Sequence, residues 1–351
     1  MPEGFLKKAL RGFEPYVPGM QPPDGEDWVK LNTNESPLPP SPKVIEAITS
    51  AAGDSLRLYP SPTGASARAA IAAHLELQPS QVLLGNGADE LIEMCFRAFA
   101  GHGDHVAYPT PTYPLFEPLC RIHEATPSPH PTAEGWTWTE EFADDNAPLK
   151  FVVNPNSPTG TWSAEASVDD VITRSRGVVV LDEAYVDFAP ASCVGLLDKH
   201  PNLLILRTFS KSYALAGMRI GFALGNPDLI AALDTVKDSY NMNRLAIAAA
   251  TAAIQDEDHH KKIVEHVTSE RAALAESLRE LRFEVSPSAA NFLFVQPPPG
   301  SHAGALADAL RERRVLVRHY DREPIAGWFR ITVGTSDQNE RLLGALKEIL
   351  N

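Results

Sequence analysis

Between residues 81 and 225, short continuous apolar runs alternate with helix-length stretches of mixed character. "QVLLGNG" reads as a strand and turn, followed by the helical "ADELIEMCFRAFA". "HVAY", "LKFVVNPNSPTG", "GVVVLDEAY", "NLLILRTFSKS" and "RIGFALG" read as five further strands. The runs are rich in Val, Ile and Leu and do not alternate with polar residues, as expected of strands covered by helices on both faces. Strand and helix in turn predict an α/β fold, a three-layer unit on a mainly parallel sheet. From about residue 227 the pattern is helical as far as Leu281. "FEVSPSAANFLFVQP", a helix "AGALADALRERR", "VLVRHY", "WFRITVG" and a last helix "SDQNERLLGALKEILN" then predict a smaller α+β unit. Residues 14–42 are proline-rich and read as an irregular arm. The expected division is an arm over 1–45 packing with the small domain, a large domain over 46–240 and a small C-terminal domain over 241–351.

The 351 residues can bury the core of two such units. Charge narrows the function: 31 Lys and Arg against 45 Asp and Glu give −14, which disfavours a nucleic-acid or anionic-membrane surface but leaves room for a small anion held by a few arginines. No apolar stretch is long enough to cross a membrane, and the N-terminal "MPEGFLKKALRGF" lacks the apolar core of a secretory signal. Three widely spaced cysteines, Cys95, Cys120 and Cys193, suggest buried thiols in a reducing cytoplasm. Asp256, Asp258, His259 and His260 could be read as metal ligands, but acidic residues suit the start of a helix there, and no metal is expected.

In open α/β sheets, ligands bind at the carboxyl ends of strands. Here those ends carry "GNGADE", "PTPTYPLF", "NPNSPTG", "DEAY" and "SKS" in succession. Gly85 and Gly87 begin a dinucleotide fingerprint, but Glu90 stands where its third glycine would be, so the turn is better read as a helix N-terminus offering N–H groups to one phosphate. Asp182 ends an apolar strand, where a carboxylate is costly unless paired; a protonated ring nitrogen would pair it. Tyr185 could reach a phenolic oxygen on that ring, and Tyr113 could stack on its face. A basic ring with a phenolic oxygen and a phosphate, near Lys211, describes pyridoxal 5'-phosphate: the lysine amine for the aldehyde, Ser210 and Arg219 for the phosphate.

On these residues the chain resembles the fold-type I pyridoxal-phosphate enzymes, and specifically the histidinol-phosphate aminotransferases. The likeness runs from about Tyr16 to the C-terminus through "LNTNESP", "LYPSPTG", "GNGADELI", "NPNSPTG", "LDEAYVDF", "RTFSKSYALAGMRIGF" and "FRITVGT". It implies that Lys211 bonds the cofactor and shuttles protons, that Asp182 pairs with the ring nitrogen, and that Tyr185 bonds the ring oxygen while Tyr113 covers the ring. Gly87, Ala88, Asp89, Thr208, Ser210 and Arg219 would surround the phosphate, with Tyr59 reaching it from the second subunit of a homodimer. Arg330 would hold the carboxylate of glutamate or 2-oxoglutarate, Arg318 and Tyr16 the phosphate of L-histidinol phosphate, and Asn34 would lie in the arm over the site.

One position departs from the family pattern. Where an asparagine usually precedes the proline and bonds the ring oxygen, this chain has Ser157, preceded by Asn156; the bond would pass to one of these two, or to water, or be lost. The implied reaction is transamination between L-histidinol phosphate and 2-oxoglutarate. The same cofactor residues would also serve an aromatic amino-acid aminotransferase or a phosphothreonine decarboxylase, and a silent ligand-binding homologue is the alternative outside catalysis.

Overall fold

The computed structural model describes residues 3–13, 19–23 and 25–350. Strand β1 (Val29–Lys30) leads into helices α1 (Pro42–Ala51) and α2 (Ala65–His74). The main sheet follows: β2 (Val82–Gly85), α3 (Ala88–Phe99), β3 (His105–Thr110), α4 (Phe116–Ile122), β4 (Thr126–Pro131), α5 (Glu140–Asp144), β5 (Leu149–Val153), α6 (Glu165–Arg174), β6 (Val178–Asp182), β7 (Leu203–Thr208) and β8 (Gly221–Gly225). Next come α7 (Pro227–Val236), α8 (Arg244–Ile254), α9 (Glu257–Glu280), β9 (Glu284–Val285), β10 (Phe292–Gln296), α10 (Ala303–Glu312), β11 (Val315–Leu316), β12 (Arg318–His319), β13 (Phe329–Thr332) and α11 (Ser336–Leu350).

The seven-stranded sheet runs β2-β8-β7-β6-β5-β3-β4, parallel except where β8 pairs with β2 and β7. Helices cover both faces. Val82 and Leu84 join one core with α1, α2, α6 and α8, whereas Leu83 joins the other with α3, α4 and α7. Side chains alternate between faces along a strand, so burial on both sides is what removes polar residues from these runs. The exception explains itself: Lys150, fully buried in β5, donates to the carbonyls of Phe142 and Ala143 at 2.9 and 3.0 Å, capping α5, and burial brings its ammonium down to about 8.

The expected strands are all present, and β4 is an additional one. Its sequence, TPSPHP, carries three prolines, which only an edge strand tolerates, since its outer side makes no ladder bonds. Helix α8 lies after residue 240 but buries Ala246, Ile247, Ala249 and Ala250 in the core of the large sheet, so the expected boundary at 240 falls ahead of a helix that packs with the large unit. The C-terminal unit holds the antiparallel sheet β12-β13-β10-β9. From the arm, β1 pairs in parallel with β11 of that unit. No helix among the described residues is long and apolar enough to cross a membrane.

In chain order β3 is followed outward by β4, and the chain then crosses back to β5 on the other side of β3. The order of connection reverses between β3 and β5, which opens a crevice at their carboxyl ends.

Candidate active site

A pocket occupies that crevice. Its walls include Ala88, Asp89, Tyr113, Ser157, Asp182, Tyr185, Thr208, Ser210, Lys211 and Arg219, together with Thr33, Glu35, Ala216 and Gly217. Each loop expected to carry chemistry thus delivers at least one side chain to a single cavity.

Asp182 is the last residue of β6 and is 5% exposed. One oxygen accepts from the Ala184 N–H at 2.9 Å. Burial pushes its carboxyl up to about 6, outweighing the opposing pull of that bond and of the Lys211 charge. A buried carboxylate facing a cavity is a site that wants a cation. Lys211 lies in the turn after β7 with its amine 5.5 Å from the centre of the Tyr185 ring. The Tyr185 hydroxyl accepts from Asn34 Nδ2 at 2.9 Å, which leaves its own O–H to donate into the pocket. Asn34 is itself fixed. Its N–H donates to Thr332 Oγ1 at 2.9 Å, its Oδ1 accepts from that hydroxyl at 3.1 Å, and its carbonyl accepts from Asn291 Nδ2 at 3.0 Å.

At the other end, Gly87 takes φ +86° and precedes α3, whose first residue is Ala88. A Cβ on Gly87 would lie 2.6 Å from Arg219 Nη2, so any side chain there would expel the arginine. Thr208 donates to Ser210 Oγ at 2.9 Å, and Arg219 Nη2 meets Asp89 Oδ2 at 3.3 Å. Asp89 also accepts from the Tyr113 hydroxyl at 2.8 Å, so one carboxylate orients both the arginine and the tyrosine. Glu90, where a dinucleotide site would want glycine, accepts from Asn86 N–H at 2.5 Å and Asn241 Nδ2 at 3.0 Å and closes the turn.

Of the two residues weighed for the ring oxygen, only Ser157 faces the pocket. The amide of Asn156 is spent in the loops: its oxygen accepts from Thr112 at 3.0 Å, and its nitrogen donates to the Pro111 carbonyl at 3.0 Å and to Thr159 at 2.9 Å. Ser157 Oγ accepts from Arg330 Nη1 at 3.1 Å, leaving its O–H to donate. Arg330 is further anchored by the Asn32 carbonyl at 3.1 Å and lies over the Phe292 ring at 5.2 Å, while its buried Nε has no hydrogen-bond partner among the described residues. Arg318 stands directly opposite Arg330 in the β12–β13 register, on the same face of the sheet, with Tyr320 5.7 Å from its guanidinium.

One residue lies elsewhere. Tyr59 is 77% exposed, outside the pocket, and stacks on Tyr240 at 4.5 Å. Tyr16 falls outside the described residues. Thr33 and Glu35 were not singled out in the sequence, although they flank Asn34 in the quoted "LNTNES"; Glu35 is gripped by Lys30 at 2.7 Å and by Thr33 at 2.9 Å. Asp256 accepts from Ser41 and from Lys43 at 2.7 Å, and no group of potential metal ligands occurs among the described residues.

A buried carboxylate facing the cavity, an amine across from it, two hydroxyls free to donate and an arginine beside a helix N-terminus make a donor set that fits pyridoxal phosphate. Fold and site together define a pyridoxal-phosphate-dependent aminotransferase of fold type I. Residues 26–346 match the family described as "Aminotransferase class I and II". The chain is 45% identical to a histidinol-phosphate aminotransferase of Acetobacter pasteurianus, over 99% of this chain and 98% of that one. It is 44% identical to histidinol-phosphate aminotransferase 1 of Bordetella parapertussis, over 99% of both chains. The crystal structure of the Sinorhizobium meliloti histidinol-phosphate aminotransferase in complex with pyridoxal-5'-phosphate superposes with a TM-score of 0.86 at 30% identity, covering 92% of this chain and 90% of that one. The chain belongs to the class I and II aminotransferases and, within them, to the histidinol-phosphate aminotransferase family.

Proposed function

We propose that this protein transfers the amino group of L-histidinol phosphate to 2-oxoglutarate, giving imidazole acetol phosphate and L-glutamate in histidine biosynthesis. The observation that carries the substrate is the pair Arg318–Arg330. Arg330 reaches Ser157 in the pocket wall, and Arg318 stands opposite Arg330 in the β12–β13 register, so both guanidiniums can be offered to anionic groups of the substrates. Arg330, with its fork spread over Ser157 and the Asn32 carbonyl and an unused Nε, suits a carboxylate. Arg318, opposite it on the same face, suits the phosphate, for which Tyr16 is the second expected ligand.

Pyridoxal phosphate, when bound, supplies an aldehyde that takes up the amino group and a protonated ring that draws electrons from the substrate's Cα. Lys211, Asp182 and Tyr185 would hold its reactive end, and Ala88, Thr208, Ser210 and Arg219 its phosphate, with Asp89 aiming Arg219 and Tyr113. Lys211 would then serve as the base that removes the Cα proton and as the acid that delivers it to the cofactor carbon that had carried the aldehyde. Asp182 keeps the ring side of the pocket negative, and Asn34 orients Tyr185.

The substrate assignment is tested with Arg318→Ala. Loss of a charge-assisted contact worth about 2–3 kcal/mol should lower kcat/KM for L-histidinol phosphate by roughly 100-fold while leaving the 2-oxoglutarate half-reaction within about twofold. Equal losses in both half-reactions would remove Arg318 from phosphate recognition.

We further infer a homodimer. Tyr59 lies among exposed apolar side chains, with Leu56, Leu58 and Tyr240 each about half exposed, a surface that association would cover. In that assembly Tyr59 would reach the partner's phosphate site. Tyr59→Phe should then weaken cofactor retention about tenfold in a protein that remains dimeric by sedimentation; unchanged retention would place Tyr59 outside the site. The buried free thiols Cys95, Cys120 and Cys193 suit a reducing cytoplasm.

A further inference from the structure

Behind the pocket lies a polar cluster that the reaction above does not use. Asp187 is two residues beyond Tyr185, in the short 3-10 turn Val186–Phe188. Its Oδ2 accepts from the hydroxyl of Ser212, the residue next to Lys211. From the opposite side, His260 of α9 brings Nε2 to 3.3 Å from the same oxygen. The His260 ring also stacks on Tyr213 at 4.2 Å and 13°, and Tyr213 packs on Phe209 at 4.7 Å. One carboxylate oxygen thus joins the turn carrying Tyr185, the turn carrying Lys211 and a helix from the C-terminal unit.

The Lys211 turn needs such support. Among the described residues, backbone bonds close it from Ala214 N–H to the Lys211 carbonyl, 3.1 Å, and from Leu215 N–H to the Phe209 carbonyl, 3.0 Å, and Phe209 N–H ties its start to the Ile220 carbonyl at 3.0 Å. Ala214 sits at φ +57°, a left-handed backbone that alanine disfavours and that persists only when its surroundings enforce it. The Asp187 carboxyl is a steady acceptor: burial pushes it up, but His260, with Arg207 and Ser212 behind, outweighs burial and holds it at about 2.

We propose that Asp187, Ser212 and His260 form a positioning clip that fixes where the Lys211 amine stands over Tyr185, so that docking of α9 against the large unit governs the reactivity of the lysine. The Ser212 hydrogen bond and the His260 imidazole facing the same carboxylate oxygen set position more sharply than apolar packing of the same volume would. A displacement of about 1 Å at a reacting group costs up to roughly 100-fold in rate. The clip rests on Lys211 being the lysine that bonds the cofactor.

The test uses full-length apoprotein mixed with pyridoxal phosphate. The bond to Lys211 is trapped with borohydride at timed intervals, and the modified peptide is quantified by mass spectrometry. Ser212→Ala and Asp187→Asn should form the trapped adduct about tenfold more slowly than the parent, with thermal midpoints within a few degrees of it. Their kcat should fall to a similar extent with the KM for 2-oxoglutarate unchanged, because Arg330 is not disturbed. Ser212→Thr, which keeps the hydroxyl, should recover the parental trapping rate. Parental trapping rates in Ser212→Ala and Asp187→Asn, or a Ser212→Thr as slow as Ser212→Ala, would overturn the clip. An adduct that persists at the same peptide in Lys211→Ala would overturn the lysine assignment itself, and the clip with it.

Discussion

Lys211→Ala should fold, bind pyridoxal phosphate and turn over at roughly 10⁻⁴ of the parental rate. The size follows from what the amine does. It stands over the pocket wall formed by Tyr185, 5.5 Å from that ring, and removal of a positioned proton carrier costs about 10²–10⁴-fold, with loss of the covalent link added. The fold should survive because, among the described residues, the amine makes no ion pair whose loss would strand a buried charge, and the turn around it is held by its own backbone and by Ser212. The check is a single turnover with L-histidinol phosphate and no keto acid, followed by the loss of the cofactor's visible absorbance. A variant that reacts at the parental rate would remove Lys211 from the chemistry.

Asp182→Asn should move stability and activity in opposite directions. In the apoprotein the buried carboxyl titrates near 6 instead of 3.8. Because the folded-state value is raised, the unfolded chain releases the proton first. Stability is therefore full below about pH 4 and declines as pH rises to about 6, costing about 3 kcal/mol at neutral pH. Asparagine carries no charge to desolvate, so the apo variant should be more stable than the parent by about that amount at pH 7 and no more stable at pH 4, as read from urea unfolding at both values. The same substitution withdraws the negative charge facing the cofactor ring and should lower kcat by roughly 100- to 1,000-fold, the scale of a preorganised electrostatic partner. A variant less stable than the parent at pH 7, yet fully active, would contradict both halves.

Much of this was legible in the chain because burial on both faces leaves strands as unbroken apolar runs, and because such sheets expose their chemistry at the carboxyl ends. Asp182, Tyr185 and Lys211 could be found by walking those ends in order. Strand β4 was hidden by three prolines that only an edge position accommodates, and α8 by helical texture that cannot say which core a helix joins. Asn156 and Ser157 are neighbours with opposite outcomes, one turned into the loop and the other into the pocket, a distinction made by Thr112, Pro111 and Thr159. The cluster behind Lys211 had no local signal. His260 read as part of a solvated helix end because Asp187, Ser212 and Tyr213 are far from it in sequence, and only packing of α9 brings them together.

The central claim is that this pocket takes the amino group of L-histidinol phosphate, and a comparison of amino donors tests it most directly. Purified protein loaded with pyridoxal phosphate is mixed in the absence of keto acid with L-histidinol phosphate or with L-phenylalanine, and the yellow colour is followed in time. Loss of colour with L-histidinol phosphate, roughly 100-fold faster than with L-phenylalanine as an arginine-bound phosphate would give, is the result expected. Loss of colour with L-phenylalanine alone would contradict it and make the protein an aromatic amino-acid aminotransferase.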